Sequence, residues 1–192
     1  MNMSFFNRSE KEKLLRQRGI VIWLIGLPGS GKTTLAFAVA EKLTESGYFC
    51  QILDGNMLRG GINRDLGFSM NDRAENIRRA AEISKILISN GIITLCSFIS
   101  PTSKIRNIAK EIIGPNDFIE IYVSTPVEVC EARDSNGLYK KARIGEIPDL
   151  TGVSSLYEKP EHPDLEIDTS NSSIESDSQR IIDFILPLVR FK

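Results

Sequence analysis

Apolar residues along this chain switch repeatedly between two spacings, and the switching predicts the architecture. Ile20-Val21-Ile22-Trp23-Leu24-Ile25 is an unbroken apolar, β-branched run, as expected of a strand buried on both faces. Residues 34–43 follow with apolar positions at helical spacing. Residues 48–53 predict a second strand, ending at Asp54-Gly55. From 72 to about 89 one helix face is marked by Ile77, Ala80, Ala81, Ser84, Leu87 and Ile88, and Asn90-Gly91 closes it as a C-terminal cap. Residues 92–97 predict a third strand, 103–113 a helix, 118–123 a fourth strand, and 127–132 a helix opened by Pro126. Residues 165–168 make a short fifth strand and 175–188 a closing helix. Strands interleaved with helices imply a five-stranded parallel sheet covered on both faces. Ligands of such a sheet gather at the carboxyl ends of its strands. Residues 9–18 are highly charged and predict an exposed helix, so 1–18 reads as an N-terminal extension to a domain spanning 19–192. Residues 137–163 lack clear periodicity, and a stretch of that length inside a compact domain is usually a functional lid.

Composition narrows the picture. A chain of 192 residues is one domain with a substantial core. Its formal net charge of −1 offers no bulk attraction to nucleic acid or an anionic membrane, so any phosphate binding must come from local clusters. Cys50, Cys96 and Cys130 include no CxxC pair and read as buried thiols of a cytoplasmic protein. His162 lies in a Pro-rich stretch, which argues against a histidine metal site. No apolar run reaches the roughly 18 residues of a membrane span. Nor does Met1-Asn2-Met3-Ser4-Phe5-Phe6 lead into a secretory apolar core.

The chemistry starts after the first strand. Gly26-Leu27-Pro28-Gly29-Ser30-Gly31-Lys32-Thr33 is a complete G-x-x-x-x-G-K-[ST] loop, with Thr34 opening the next helix. Its glycines let the backbone curl so that N–H groups converge on phosphate oxygens in front of the helix's positive end. Lys32 would reach the terminal phosphates of ATP and the Thr33 hydroxyl would ligate Mg²⁺. After strand two, Asp54 faces this loop, where it either holds Mg²⁺ or orients an attacking hydroxyl; an Asp-Gly turn is the plain alternative. After strand three, Ser100 either caps a helix with Pro101 at its first position or lies against the transferred phosphate, and both can hold together. Arg133 is placed to stack on a purine, and Lys140, Lys141 and Arg143 to fold over a nucleotide or simply to line a solvated basic helix. Phe68, in a polar loop, is either a core anchor or a platform for a base. Arg59, Arg73, Arg78 and Arg79 exceed what one loop and helix start need, and a second anionic substrate would account for them.

Together these residues resemble adenylylsulfate kinase. The matching stretches include residues 23–34, Leu53-Asp54-Gly55, Arg59, residues 63–68, Asp72-Arg73 with residues 75–79, residues 97–101, 129–134 and 137–143, and Thr151-Gly152. The resemblance implies a three-layer α/β fold of the P-loop NTPase and nucleotide-kinase type with a lid. It implies transfer of the γ-phosphate of Mg-ATP to the 3′-hydroxyl of adenylylsulfate, in sulfate assimilation, by a cytoplasmic enzyme that is usually a dimer. Phe68 would stack on the adenine of adenylylsulfate, while Arg59, Arg73 and Asn76 hold its phosphosulfate, ribose or base. Ile99, Ser100, Lys140 and Leu150 would complete the acceptor site, and Arg133 with Lys141 would flank ATP. Ser100 would match the serine described in the family as a phosphoserine intermediate; direct in-line transfer fits equally well.

Three departures fall on the acceptor side. The family commonly has Asp-Gly-Asp where this chain has Asp54-Gly55-Asn56, so a second carboxylate's role is vacant or falls to Asp54. It often has an aromatic before Thr-Gly, where this chain has Leu150. It often has an aromatic and an arginine after Ser-Pro, where Thr102 and Ser103 follow here, with Arg106 kept. Asn56 and Leu150 leave open a same-fold kinase acting on a cytidine diphosphate derivative in capsule modification. Asn56 alone leaves open a nucleotide-binding subunit without catalysis, which the intact Lys32, Thr33, Asp54 and Ser100 oppose.

Overall fold

The apolar run after Gly19 becomes the centre of a five-stranded, all-parallel sheet. The structure, a computed structural model, describes residues 6–191. Strand β1 (Val21–Gly26) lies between β3 (Ile93–Ser97) and β4 (Phe118–Val123); β2 (Cys50–Asp54) and β5 (Leu165–Ile167) form the edges, in the order β2-β3-β1-β4-β5. Alternation along β1 divides the core in two. Ile22 and Leu24 face α2 (Lys32–Glu45) and α8 (Ile174–Val189), packing with Leu35, Val39, Ile181 and Ile185. Val21, Trp23 and Ile25 face α4 (Met70–Ile88) and α5 (Ser103–Ile113), packing with Ile77, Ala80, Ile105 and Ala109. Every side chain of β1 is therefore buried, which is why its sequence shows no polar alternation.

Most predicted elements stand within two residues of their expected limits. Two short helices add to the expected elements. Asp54, at the end of β2, accepts hydrogen bonds from Asn56 N and Met57 N and so caps a short helix, α3 (Gly55–Arg59), in place of the Asp-Gly turn that was the plain alternative there. The aperiodic lid stretch contains α7 (Leu138–Arg143), which follows α6 (Val127–Ala132). Its own small core joins Cys130, Tyr139, Ala142 and Leu150 to Leu27 of the phosphate loop. Among the described residues no helix is long and apolar enough to cross a membrane.

The charged N-terminal segment forms α1 (Arg8–Leu15), without a buried residue, and it is tied to the amino-terminal end of the sheet. The Arg8 guanidinium bonds Gly19 O at 2.7 Å and Asp117 Oδ1 at 2.8 Å. Buried Gln17 donates to Phe49 O and Gly91 O, each at 2.7 Å, and accepts from Phe49 N at 2.7 Å. β2 starts at Cys50 instead of Tyr48. Removing Gln17 would leave the carbonyl of buried Gly91 without this partner and deprive the part-buried Phe49 N–H and C=O of theirs, a loss of about 1–3 kcal/mol with partial compensation by water. Gln17→Ala is expected to lower stability by about 2–3 kcal/mol and the thermal midpoint by roughly 5–10 °C, with turnover per folded molecule unchanged. A thermal melt shifted by less than about 2 °C would refute this account of Gln17.

Candidate functional site

Conformational freedom of glycine makes the phosphate loop possible at two points. Gly26 has φ +151°, and a Cβ there would stand 2.5 Å from Val123 O. Gly31 has φ +98° and serves as N-cap of α2, so the helix begins at Lys32 with its N-terminal N–H groups facing the loop. The loop is braced from behind. Thr125, after β4, donates from Oγ1 to Ser30 O at 3.0 Å, and Thr169, after β5, stands 2.8 Å from the Thr125 hydroxyl. Arg133 donates to Thr169 Oγ1 at 2.7 Å and to Thr169 O at 2.8 Å. A cavity of about 520 Å³ opens along this rim, lined by Gly31, Lys32, Thr34, Arg133, Thr169 and Asp177 among others.

The Lys32 ammonium is buried and donates to Leu27 O at 2.7 Å. Burial lowers its pKa from the ordinary 10.5 to about 8, with the Cys130 thiol and Asp54 opposing the shift. A charged ammonium at this place costs on the order of 3 kcal/mol at neutral pH, which an arriving triphosphate would offset.

The carboxyl ends of β2 and β3 meet beside it. Thr33 Oγ1 stands 2.8 Å from Asp54 Oδ2 and 2.9 Å from Ser97 Oγ. This all-oxygen cluster suits a hard cation such as Mg²⁺. Among the described residues no group of three His, Cys, Asp or Glu side chains could hold a metal by itself. Phosphate oxygens and water would therefore complete its coordination.

A second cavity, of about 850 Å³, adjoins the first at Gly29, Lys32, Thr33 and Arg133. Arg59, Phe68, Arg73, Asn76, Ile99, Ser100 and Leu150, all expected at the acceptor site, line it. Phe68 is exposed, with the Arg59 guanidinium 4.6 Å and the Arg73 guanidinium 5.7 Å from its ring centre. Both arginines bond backbone carbonyls, Arg59 that of Leu66 and Arg73 those of Phe68 and Asp149. Burial lowers the pKa of each, and for Arg73 the Arg59 charge adds to it. Two partly desolvated guanidiniums bonded to carbonyls suit an anionic ligand. Asn76 Oδ1 accepts from buried Asn63 at 2.9 Å, which leaves the Asn76 amide N–H₂ as a donor toward the cavity.

Several expectations change. Ser100 does not cap α5; Thr102 does, accepting from Ile105 N at 3.3 Å, because Ser100 is turned back by a φ of +46°. Arg78 and Arg79 are committed to carboxylates, Arg78 to Glu75 and Arg79 to Asp65 and Glu75, and they line neither cavity. Lys140 and Lys141 are exposed on α7 and also line neither, since Tyr139 takes the inward position of that turn. Arg143 pairs with Glu131 at 2.7 Å. Cys50 is only half buried, although all three thiols are free. Leu150 is part of the lid core as well as the cavity wall. Thr125, Thr169, Ser172 and Asp177 were not anticipated. For the three hydroxyl residues the one legible signal is their place after β4 and β5, where ligands of parallel sheets gather. Tyr139 was visible only as part of a basic cluster; its hydroxyl donates to Pro28 O at 2.7 Å and clips the lid to the phosphate loop.

Residues 18–168 match the family described as Adenylylsulphate kinase. An adenylyl-sulfate kinase of Bacteroides fragilis is 54% identical over 182 residues, covering 95% of this chain and 90% of the relative. The solved structure of the Mycobacterium tuberculosis APS kinase CysC, in complex with AMPPNP and APS, is similar at a TM-score of 0.85 and 43% identity, covering 88% of this chain and 98% of that one. A hexameric APS kinase from Thiobacillus denitrificans is similar at a TM-score of 0.69 and 27% identity, covering 94% of this chain but 32% of that longer one.

The depressed pKa of Lys32 sets a pH dependence. Below pH 8 the side chain is charged and able to hold phosphate; above it the folded protein favours the neutral amine. Affinity for ATP is therefore expected to fall as pH rises through about 8, by up to tenfold per pH unit until the pKa of the bound state is reached. Stability moves the other way. The folded-state pKa lies below the unfolded one, so the burial penalty applies in full below pH 8 and fades as pH rises from there to 10.5. Nucleotide titrations between pH 7 and 9.5 test this. Lys32→Arg, charged throughout, should flatten the profile, and a flat profile in the unaltered chain would remove Lys32 from this role.

Proposed function

This chain belongs to the adenylylsulphate kinase family, and from that premise we infer how its residues share the reaction. The enzyme is an ATP-dependent phosphotransferase that moves the γ-phosphate of ATP to the 3′-hydroxyl of adenylylsulfate, yielding 3′-phosphoadenylylsulfate and ADP. The observation that carries the assignment of sites is the junction of two cavities at Lys32 and Thr33. One cavity, rimmed by Arg133 and Thr169, suits ATP with its base against the guanidinium and its phosphates over the loop. The other, with Phe68 between two arginines and Asn76 below, suits an anionic nucleotide whose sugar hydroxyl reaches the junction.

The roles follow from placement. Lys32 neutralises charge developing on the transferred phosphoryl group, and the loop's N–H groups hold the oxygens that leave with ADP. Thr33 and Asp54 would hold Mg²⁺, which when bound neutralises charge shared between the β- and γ-phosphates. Asp54, the carboxylate beside Thr33, orients the 3′-hydroxyl and accepts its proton as the new P–O bond forms and the bond to ADP breaks. Ser100 lines the acceptor cavity and touches substrate there. A homodimer in the cytoplasm belongs to the same proposal, the cytoplasmic setting supported by the three free cysteines.

Adenylylsulfate is expected to produce ADP release well above the acceptor-free rate, while a cytidine diphosphate derivative is not; the reverse order would transfer the reading to the cytidine compound. Asn56, exposed in the first turn of α3, lines the acceptor cavity beside Asp54. Asn56→Asp would add a carboxylate at the junction and at a helix N-terminus. A several-fold rise in kcat with an unchanged KM for ATP is expected. An unaltered kcat would show that Asp54 alone meets the need for a base.

A further inference from the structure

Trp23 is the chain's single tryptophan, and its indole bonds a side chain that lines the acceptor cavity. It sits in mid-β1, three residues before the phosphate loop, and is fully buried. The ring stacks on Phe98 at 5.0 Å and packs against Phe118 at 5.7 Å, which leaves it one orientation. A buried indole N–H needs an acceptor. Here the acceptor is a side chain on the cavity wall, Ser100 Oγ, at 3.0 Å.

Ser100 is itself held in an uncommon shape. Its φ of +46° places a non-glycine residue in the left-handed region, and Arg106 donates to its carbonyl at 3.2 Å. The indole occupies one lone pair of Oγ. Among the described residues no atom accepts Ser100's own proton, and neither carboxylate nor imidazole bonds Oγ to remove it. A hydroxyl with no base beside it, fed by a donor on one side and facing a cavity on the other, is a hydrogen-bond donor. We propose that Trp23 is a positioning residue: its N–H fixes the Ser100 hydroxyl so that Ser100 donates to an oxygen of the bound acceptor without being phosphorylated. The inference rests on reading the Phe68 cavity as the acceptor site.

The test uses the intact enzyme with Trp23→Phe, Ser100→Ala, the double variant and Phe68→Ala. Trp23→Phe keeps an aromatic ring and deletes the donor. It is expected to raise KM for adenylylsulfate about 5- to 20-fold with KM for ATP unchanged, as the loss of one directed hydrogen bond would. The double variant should match Ser100→Ala, because the indole acts through that hydroxyl. Losses that multiply in the double variant, or a Trp23→Phe enzyme with normal acceptor KM beside an impaired Ser100→Ala, would overturn the proposal. A normal acceptor KM in both Phe68→Ala and Ser100→Ala would instead overturn the reading of the cavity. Fluorescence gives a second measurement that survives if Trp23→Phe fails to fold. Adenylylsulfate should shift the emission of the lone indole in the unaltered enzyme and not in Ser100→Ala; an equal shift in both would refute the coupling. A stable phosphate on Ser100 after turnover, seen by mass spectrometry, would refute the donor role.

Discussion

One buried positive charge sets the terms for the rest of this molecule. Lys32 begins a helix, is buried, and finds a single backbone carbonyl, Leu27 O, close enough for a strong hydrogen bond. Burial makes that ammonium costly, and the cost falls when polyanionic phosphate arrives. The fold can carry a penalty of about 3 kcal/mol because β1 is buried on both faces and packs into two cores at once. Local instability at the loop is thus held in place by the central, fully buried strand of the sheet, and it is directed at the ligand.

The loop does not act alone. Behind it, Thr125 and Thr169 join the ends of β4 and β5 to Ser30, and Arg133 extends the network to the rim of the ATP cavity. In front of it, Leu27 belongs to the hydrophobic core of the lid, and Tyr139 holds Pro28. The loop therefore touches sheet, rim and lid through different atoms. The lid is joined to the phosphate loop by its own small core and by the Tyr139–Pro28 hydrogen bond.

The acceptor side is built on a different principle. Its arginines near Phe68 are half desolvated and bonded to carbonyls, whereas Arg78 and Arg79, one turn further along α4, are neutralised by carboxylates on the surface. Sequence counting grouped all of these as spare cations. Arg59 ends α3, and the α4 arginines differ by which face each takes: Arg73 and Asn76 share the buried stripe with Ile77 and Ala80, and Arg78 points away. Helical periodicity contains that distinction, but only once the face toward the sheet is known.

The sequence by itself determined the phosphate loop and the alternation of strands and helices, and family resemblance pointed to the residues around the second cavity, all of which line it except Lys140. These are local matters, governed by glycine conformation, by apolar spacing and by a motif whose chemistry resides in adjacent residues. The tertiary structure decided which hydroxyl caps a helix and which faces a cavity, since Ser100 and Thr102 are two residues apart and differ only in how the chain turns between them. It also decided that Lys140 and Lys141 stay outside while Tyr139 goes in, and that Thr125 and Thr169 brace a loop about a hundred residues or more before them. Such assignments depend on contacts between distant segments, and distance along the chain carries no trace of them until the sheet brings its strand ends together.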